Sequence, residues 1–292
     1  MVVQHALVAA VISLSLLGPA TEASGQPKSD VDGRPAFSRV GFTGQLGASF
    51  NNPGLQNTLS TAWSKPLSSS SNPLLTGAAV SLGLVSVTTP TMTRFGAWLE
   101  YAPLSIVAVR AGFEPIGYFG SFTSLMPFQS YDDVYDKEVL SRKAGTTSGV
   151  GLRSYVTPRV QFRAGAFTAR ISADVEHWRS SADGPYFYEA TRDQLLASSG
   201  DGLLNMTGIA LYEHRLRDGS LSAGVLHGLT RVFSAGRNQS QRLGAIAIRQ
   251  FSKTRFKLPQ PSVTVAVYQY LDDPSKQHSL GGAIAIGFRT GR

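Results

Sequence analysis

From Val40 onward apolar and small or polar residues alternate along the chain. Val40, Phe42, Gly44, Leu46, Ala48 and Phe50 interleave with Gly41, Thr43, Gln45, Gly47 and Ser49. Side chains of an extended strand point alternately to its two faces, so one face here is apolar and the other small or polar. Asn51-Asn-Pro-Gly54 breaks the run as a turn. Comparable runs follow at Leu55 to Ser64, Leu75 to Val87, Thr91 to Tyr101, Leu104 to Pro115, Thr147 to Val156, Arg159 to Arg179, Leu203 to Arg215, Ser220 to Val232, Arg242 to Phe251, Ser262 to Tyr270 and Ser279 to Phe288, which predicts twelve strands. Ala102-Pro103, Thr157-Pro158 and Leu216 to Gly219 read as reversals on one side. In Arg159 to Arg179 the parity slips near Gly165. A β-bulge there explains the slip, and a hairpin is the competing reading, which would change the strand count. Two segments do not alternate: Ile116 to Thr146, rich in aromatics and then charge, and Ser180 to Gly202, where Tyr188 to Ser198 reads as one or two helical turns.

The faces decide the class. Strand after strand carries aliphatics opposite glycine, serine or arginine, whereas a soluble sandwich sets an apolar inner face against a polar outer one. The pattern fits an all-β fold: a closed antiparallel transmembrane β-barrel, an up-and-down meander of about twelve strands with aliphatics facing lipid. An even count puts both chain ends on one side, with the two long segments opposite. Trp63, Tyr101, Tyr155, Tyr212, Phe251 and Phe288 fall near one predicted rim and Phe50, Phe113, Trp178 and Tyr270 near the other, as two interfacial girdles require.

The last strand carries a resemblance. Leu280, Gly282, Ile284, Ile286 and Phe288 share one face and Gly281, Ala283, Ala285 and Gly287 the other. Ser279, Gly281, Ile284, Ile286 and the aromatic Phe288 together resemble the carboxy-terminal assembly signal of bacterial outer-membrane β-barrels. The four residues Arg289 to Arg292 beyond the aromatic depart from that pattern. The resemblance covers Val40 to Phe288, is to the porin-like superfamily and to no narrower family. It implies an outer-membrane location and recognition by the barrel-assembly machinery through Ser279–Phe288.

Composition adds limits. Among 292 residues there is no cysteine, so disulfides and thiolate metal sites are excluded. The net charge of +8 comes from 27 Lys and Arg against 19 Asp and Glu. These basic residues are scattered singly with no stripe or recognition motif, which argues against nucleic acid as a partner. Ala6 to Leu17 is an apolar run of signal-peptide length followed by small residues, so residues 1–23 are expected to be a cleaved signal peptide. Residues 24–39 read as a flexible periplasmic linker, and 40–292 as the barrel domain.

For the lumen, the last strand and the first three contribute a small, nearly uncharged wall. Strands four to seven contribute Arg94, Glu100, Arg110, Glu114, Arg153, Arg163, Arg170, Asp174 and Glu176 as candidate solute-pathway residues. Arginines along one wall favour anionic solutes, while arginine–carboxylate pairing would only brace the wall. Tyr118, Phe119, Phe122 and Phe128 could fold inward as a constriction. The expected function is a small passive channel for small solutes with a mild anion preference. The alternative is a non-conducting barrel acting through its long outer loops; a lipid-modifying enzyme ranks below both.

Catalytic constellations are weak. His278 and Ser279 are adjacent and so point to opposite faces of a strand, and His177 is out of phase with Asp174 and Glu176, which argues against a metal cluster. His214 and His227 stand alone and read as structural. No cofactor and no catalytic residue is expected.

Overall fold

Twelve strands close into one barrel: β1 (Arg39–Phe50), β2 (Gly54–Pro66), β3 (Ala79–Thr88), β4 (Met92–Leu104), β5 (Val107–Phe119), β7 (Ser148–Ala164), β8 (Phe167–Ser180), β11 (Asp201–Leu216), β12 (Gly219–Val232), β13 (Gln239–Phe251), β14 (Ser262–Asp272) and β15 (Leu280–Thr290). The two long connections contain β6 (Pro127–Phe128), α1 (Lys137–Arg142), β9 (Tyr186–Glu189) and β10 (Gln194–Ala197). The computed structural model describes residues 39–51, 54–142, 146–236, 239–255 and 257–290. The expected signal peptide and, apart from Arg39, the expected linker lie outside the described residues. No described helix is long and apolar enough to cross a membrane, which says nothing of strands.

Each barrel strand pairs antiparallel with its neighbour in the chain, and β1 closes the sheet against β15 from Phe42↔Thr290 to Phe50↔Gly282. At this seam the Phe288 ring lies over Gly44, where an added Cβ would stand 2.4 Å from a ring carbon, so any side chain there would have to displace the ring. Val40, Leu46, Leu82, Leu99, Val109, Val160, Ile171, Val225, Val267, Ile284 and Ile286 all face outward and are exposed. With every strand paired on both sides, the barrel leaves no backbone edge for hydrocarbon to meet, which is the condition for crossing a bilayer with strands.

Three turns differ from expectation although the strand count does not: β4 runs on through Ala102 and Pro103 to Leu104, so that reversal falls at Ser105 and Ile106. β7 runs unbroken through Thr157 and Pro158, with Pro158 opposite Val109 in the ladder. The reversal is instead at Gly165, in a two-residue turn between β7 and β8, with the glycine at φ +57°. A hairpin there resets the inward–outward parity, so the slip needs no bulge. Leu75 to Ala78 belong to the turn preceding β3, and Tyr188 to Ser198 form part of the β9–β10 hairpin, not helical turns.

The girdle expectation holds in part. Trp63, Tyr101 and Tyr212 are exposed near one rim, and Phe50 and Phe113 on the outer surface toward the other. Tyr155, Trp178 and Tyr270 are buried and face inward.

Candidate functional site: a charged lumen beneath an inward-folded hairpin

The inner wall of β4, β5, β7 and β8 carries one connected network of charge. Arg153 donates from Nη1 to Glu114 at 2.9 Å and from Nη2 to Glu176 at 2.7 Å. Arg94 Nε lies 3.1 Å from Glu114. Trp178 donates from Nε1 to Glu176 at 2.6 Å, and Thr157 from its hydroxyl to Asp174 at 2.7 Å. Alternation along the strands points these side chains into one space, because Arg94, Glu114, Arg153, Asp174, Glu176 and Trp178 all have inward parity.

The network has a member that strand patterning does not reveal. Arg192, at the tip of the β9–β10 hairpin, reaches down from the loop and donates from Nε to Glu176 Oε2 at 2.9 Å, with a second contact from Nη2 to Oε1. It also lies 3.7 Å from Asp174. The hairpin is anchored on other sides as well. Tyr118 of β5 donates to Glu189 at 2.8 Å, and Lys276, between β14 and β15, pairs with Asp193. Arg192 lies in a stretch without periodicity; the sole sequence signal was that such long loops in a barrel tend to be functional.

Apolar packing seals the hairpin in place. Met126, Phe128, Tyr135, Leu140, Tyr188, Ala190 and Leu195 form a core belonging to the loops themselves. A second cluster joins loop residues Leu125, Phe187, Leu196 and Ala235 to the wall residues Met92, Ile116, Tyr118, Trp178, Leu203 and Val232. Of the four candidate constriction aromatics, Phe128 lies in the loop core and Tyr118 on the barrel wall. Phe119 and Phe122 point away and are exposed, so they do not narrow the lumen.

Burial divides the interior along its axis. In the half nearer the long loops, inward residues are buried on nearly every side, from Gln56, Val87 and Arg94 through Glu176, 2 % exposed, to Asn205, Thr230, Tyr270 and Ala283. Toward the end that carries Arg39 and Thr290, the charged side chains are wetter. Arg110 pairs with Glu100 at 2.8 Å while 35 % exposed, Arg159 reaches the same glutamate at 3.2 Å, and Arg163, 30 % exposed, pairs with Glu213 at 3.0 Å. The Arg110 guanidinium also stacks 4.0 Å from the Trp98 ring centroid, a cation–π arrangement. Arg170 faces inward and is buried beside Ile209 in the ladder.

Opposite the charged arc, the wall is not uniformly small. Ile209, Leu211, Leu226, Ile246, Ala266, Tyr268 and Tyr270 point inward and form an apolar patch on β11 to β14. The small wall is confined to β15 and β1 to β3. Sequence alternation contains this patch, since Ile209 and Leu211 share parity with Asn205 and Thr207, but several apolar residues on each of these strands make the lipid side hard to choose.

Outside the spanning strands, burial and the hydrogen bond to Asp201 push the Tyr131 hydroxyl up to about 12. Burial, reinforced by neighbouring Asp193, raises the Asp273 carboxyl above the ordinary aspartate range. Among the described residues no group of three or more His, Asp or Glu side chains is arranged to hold a metal ion.

A closed sheet with an aliphatic belt outside and charge inside defines the chain as a transmembrane β-barrel. No family model matches the chain, and no curated protein matches it. Among solved structures, it is similar to a NanC porin at 11 % identity and a TM-score of 0.43, covering 86 % of this chain and 99 % of that one. It is similar to the beta domain of the Bordetella autotransporter BrkA at 14 % identity and 0.41, covering 86 % and 97 %. A third likeness is to an outer-membrane channel from Pseudomonas putida F1, at 8 % identity and 0.40, covering 90 % and 98 %. These are likenesses of general barrel form.

Proposed function

We propose that the chain is a small passive outer-membrane channel that favours anionic solutes mildly. The observation that carries this reading is the charge of the wetter half of the lumen. There Arg110, Arg159 and Arg163 stand against only Glu100 and Glu213 among the inward side chains described above. Excess guanidinium on a low-dielectric wall lowers the barrier for anions and raises it for cations. The arginines of the other half do not contribute comparably, because Arg94, Arg153 and Arg192 are neutralised by Glu114, Asp174 and Glu176.

Single-channel recording in a planar bilayer under a potassium chloride gradient tests the reading. The expected reversal potential is on the chloride side, moving toward zero in Arg110→Gln/Arg159→Gln. An unchanged reversal potential in that variant removes these arginines as the source of selectivity. Absence of any conductance step, even after the outer loops are shortened, favours the non-conducting barrel instead.

A further inference from the structure

We infer that Arg242, laid across Gly228 toward Thr207 on the inner wall of β11 to β13, forms a site for the carboxylate of a singly charged organic acid in the lumen. This inference rests on the channel reading above and names the class of solute.

Three observations carry it. The first is placement. Thr207, Gly228 and Arg242 are paired in succession across β11, β12 and β13, and Tyr270 continues the line on β14. Side chains on this line share the inward direction of Tyr270. The Arg242 side chain lies against Gly228, where an added Cβ would stand 2.5 Å from Nε and 2.9 Å from Cγ. A glycine at 228 thus lets the guanidinium run along the wall toward Thr207 instead of projecting across the lumen, and Arg242 stays partly exposed.

The second observation is charge. Arg94, Arg110, Arg153, Arg159 and Arg163 each pair with a carboxylate. Arg242 pairs with none among the described residues, and its buried Nε has no acceptor. The hydroxyl of Thr207, a residue 8 % exposed, has no partner there either. The wall therefore offers donors and one full positive charge without an acceptor, and groups buried unmatched are costly. A carboxylate brings one negative charge and two acceptor oxygens, the pattern that the forked donors of a guanidinium fit. The third observation is the surroundings. Ile209 and Leu226, then Leu211 and Ile246, hold the next inward positions toward the end that carries Arg39 and Thr290. Arg242 Cζ also lies 5.6 Å from the Tyr268 ring centroid. Apolar neighbours strengthen an ion pair by lowering the local dielectric, and they suit the hydrocarbon part of an organic acid. A second charge on the solute would lose water against them without gaining a partner, which selects a single charge.

Isothermal titration of the full-length protein in detergent micelles, corrected with protein-free micelles, measures benzoate binding without reference to conduction. Each protein is first shown to be folded by its heat-modifiable mobility on a gel. The expectation is saturable binding to the native chain, weakened about tenfold in Arg242→Gln, which loses hydrogen bonds to a charged group, and about threefold in Thr207→Val, which loses one neutral donor. Arg242→Lys keeps the charge without the fork and should fall between the native chain and Arg242→Gln. Terephthalate, with a second charge, and inorganic phosphate, without an apolar body, should each bind more weakly than benzoate. No saturable binding to the native chain, equal affinity of the native chain and Arg242→Gln, or tighter binding of either control anion overturns the site. Should Arg242→Gln not fold, Thr207→Val and the comparison of anions on the native chain decide. Planar-bilayer recording separates the two readings. Chloride-selective steps without benzoate binding remove the site and leave the channel; benzoate binding by a protein that never conducts removes the channel and leaves the site.

Discussion

Tyr118 on the barrel wall donates a 2.8 Å hydrogen bond to Glu189, 71 residues further along the chain, and both side chains are buried. The same carboxylate organises the hairpin turn through Thr191. One acid therefore sets the shape of the hairpin and ties it to β5. In Tyr118→Phe the ring still fills its place beside Phe187, but Glu189 loses a donor. A hydrogen bond to a charged group contributes about 1.5–3 kcal/mol, so the hairpin should open more often. Trypsin cleavage after Arg192 in the folded protein should speed up with heat-modifiable mobility unchanged; an unaltered rate would show that this bond does not restrain the hairpin.

Removing Arg153 should be far more damaging than removing Arg163. Arg153 bridges Glu114 and Glu176, and all three are buried. Breaking a buried pair by deleting one partner typically costs about 3–5 kcal/mol, because the other charge is stranded. Arg163 bonds Glu213 in a wetter part of the lumen, where an exposed pair contributes about 0–1 kcal/mol. Denaturant midpoints of Arg153→Met and Arg163→Met in detergent micelles check this, and equal midpoints would contradict it.

The loop between β14 and β15 should weaken as pH rises. Asp273 has a carboxyl raised above its ordinary value, first by burial and then by Asp193, with Lys276 and Ser240 acting the other way. A carboxyl whose pKa is raised on folding contributes its stability below the unfolded value, about 3.9, and loses it as pH climbs through the folded one. Asp273→Asn cannot ionise, and an asparagine oxygen can still accept from the Ser275 amide and hydroxyl, which bond Asp273 Oδ1 in the native chain. Its melting temperature should match the native protein at about pH 4 and exceed it increasingly toward pH 8. A gap that is constant or shrinks over that range would refute the assignment.

At the β7–β8 turn, Gly165 sits at φ +57° with nothing within 4 Å of where a Cβ would stand. Space is therefore no obstacle and backbone conformation is the whole cost. Gly165→Ala should lose about 1 kcal/mol and Gly165→Asn less, since asparagine tolerates the left-handed region. Denaturant midpoints again decide, and an alanine variant as stable as the native chain would argue against a left-handed residue at this turn.

Period-two alternation made the barrel legible because lipid outside and charge inside give each strand two unlike faces. It also brought Arg94, Glu114, Arg153, Asp174 and Glu176 to one wall, since parity is a local property. The same parity sends Trp178 inward with Asp174 and Glu176; nearness to a rim says nothing about direction. Thr157-Pro158 resembles a turn because proline lacks a donor, yet one missing ladder bond opposite Val109 does not stop a strand paired along both sides. Tertiary contact alone selects Arg192. It sits in a loop with no repeating pattern, and its partners on β8 are 16 and 18 positions earlier in the chain, Glu176 and Asp174.

The pairing of β1 with β15 has a consequence for biosynthesis. Leu280 to Thr290 complete the cylinder by pairing with β1 on one side and β14 on the other. A chain lacking them would present β1 and β14 to the membrane as two unsatisfied margins. Truncation by a premature stop codon anywhere in that span should therefore give no partly working product, only protein that is never inserted and is cleared by proteolysis.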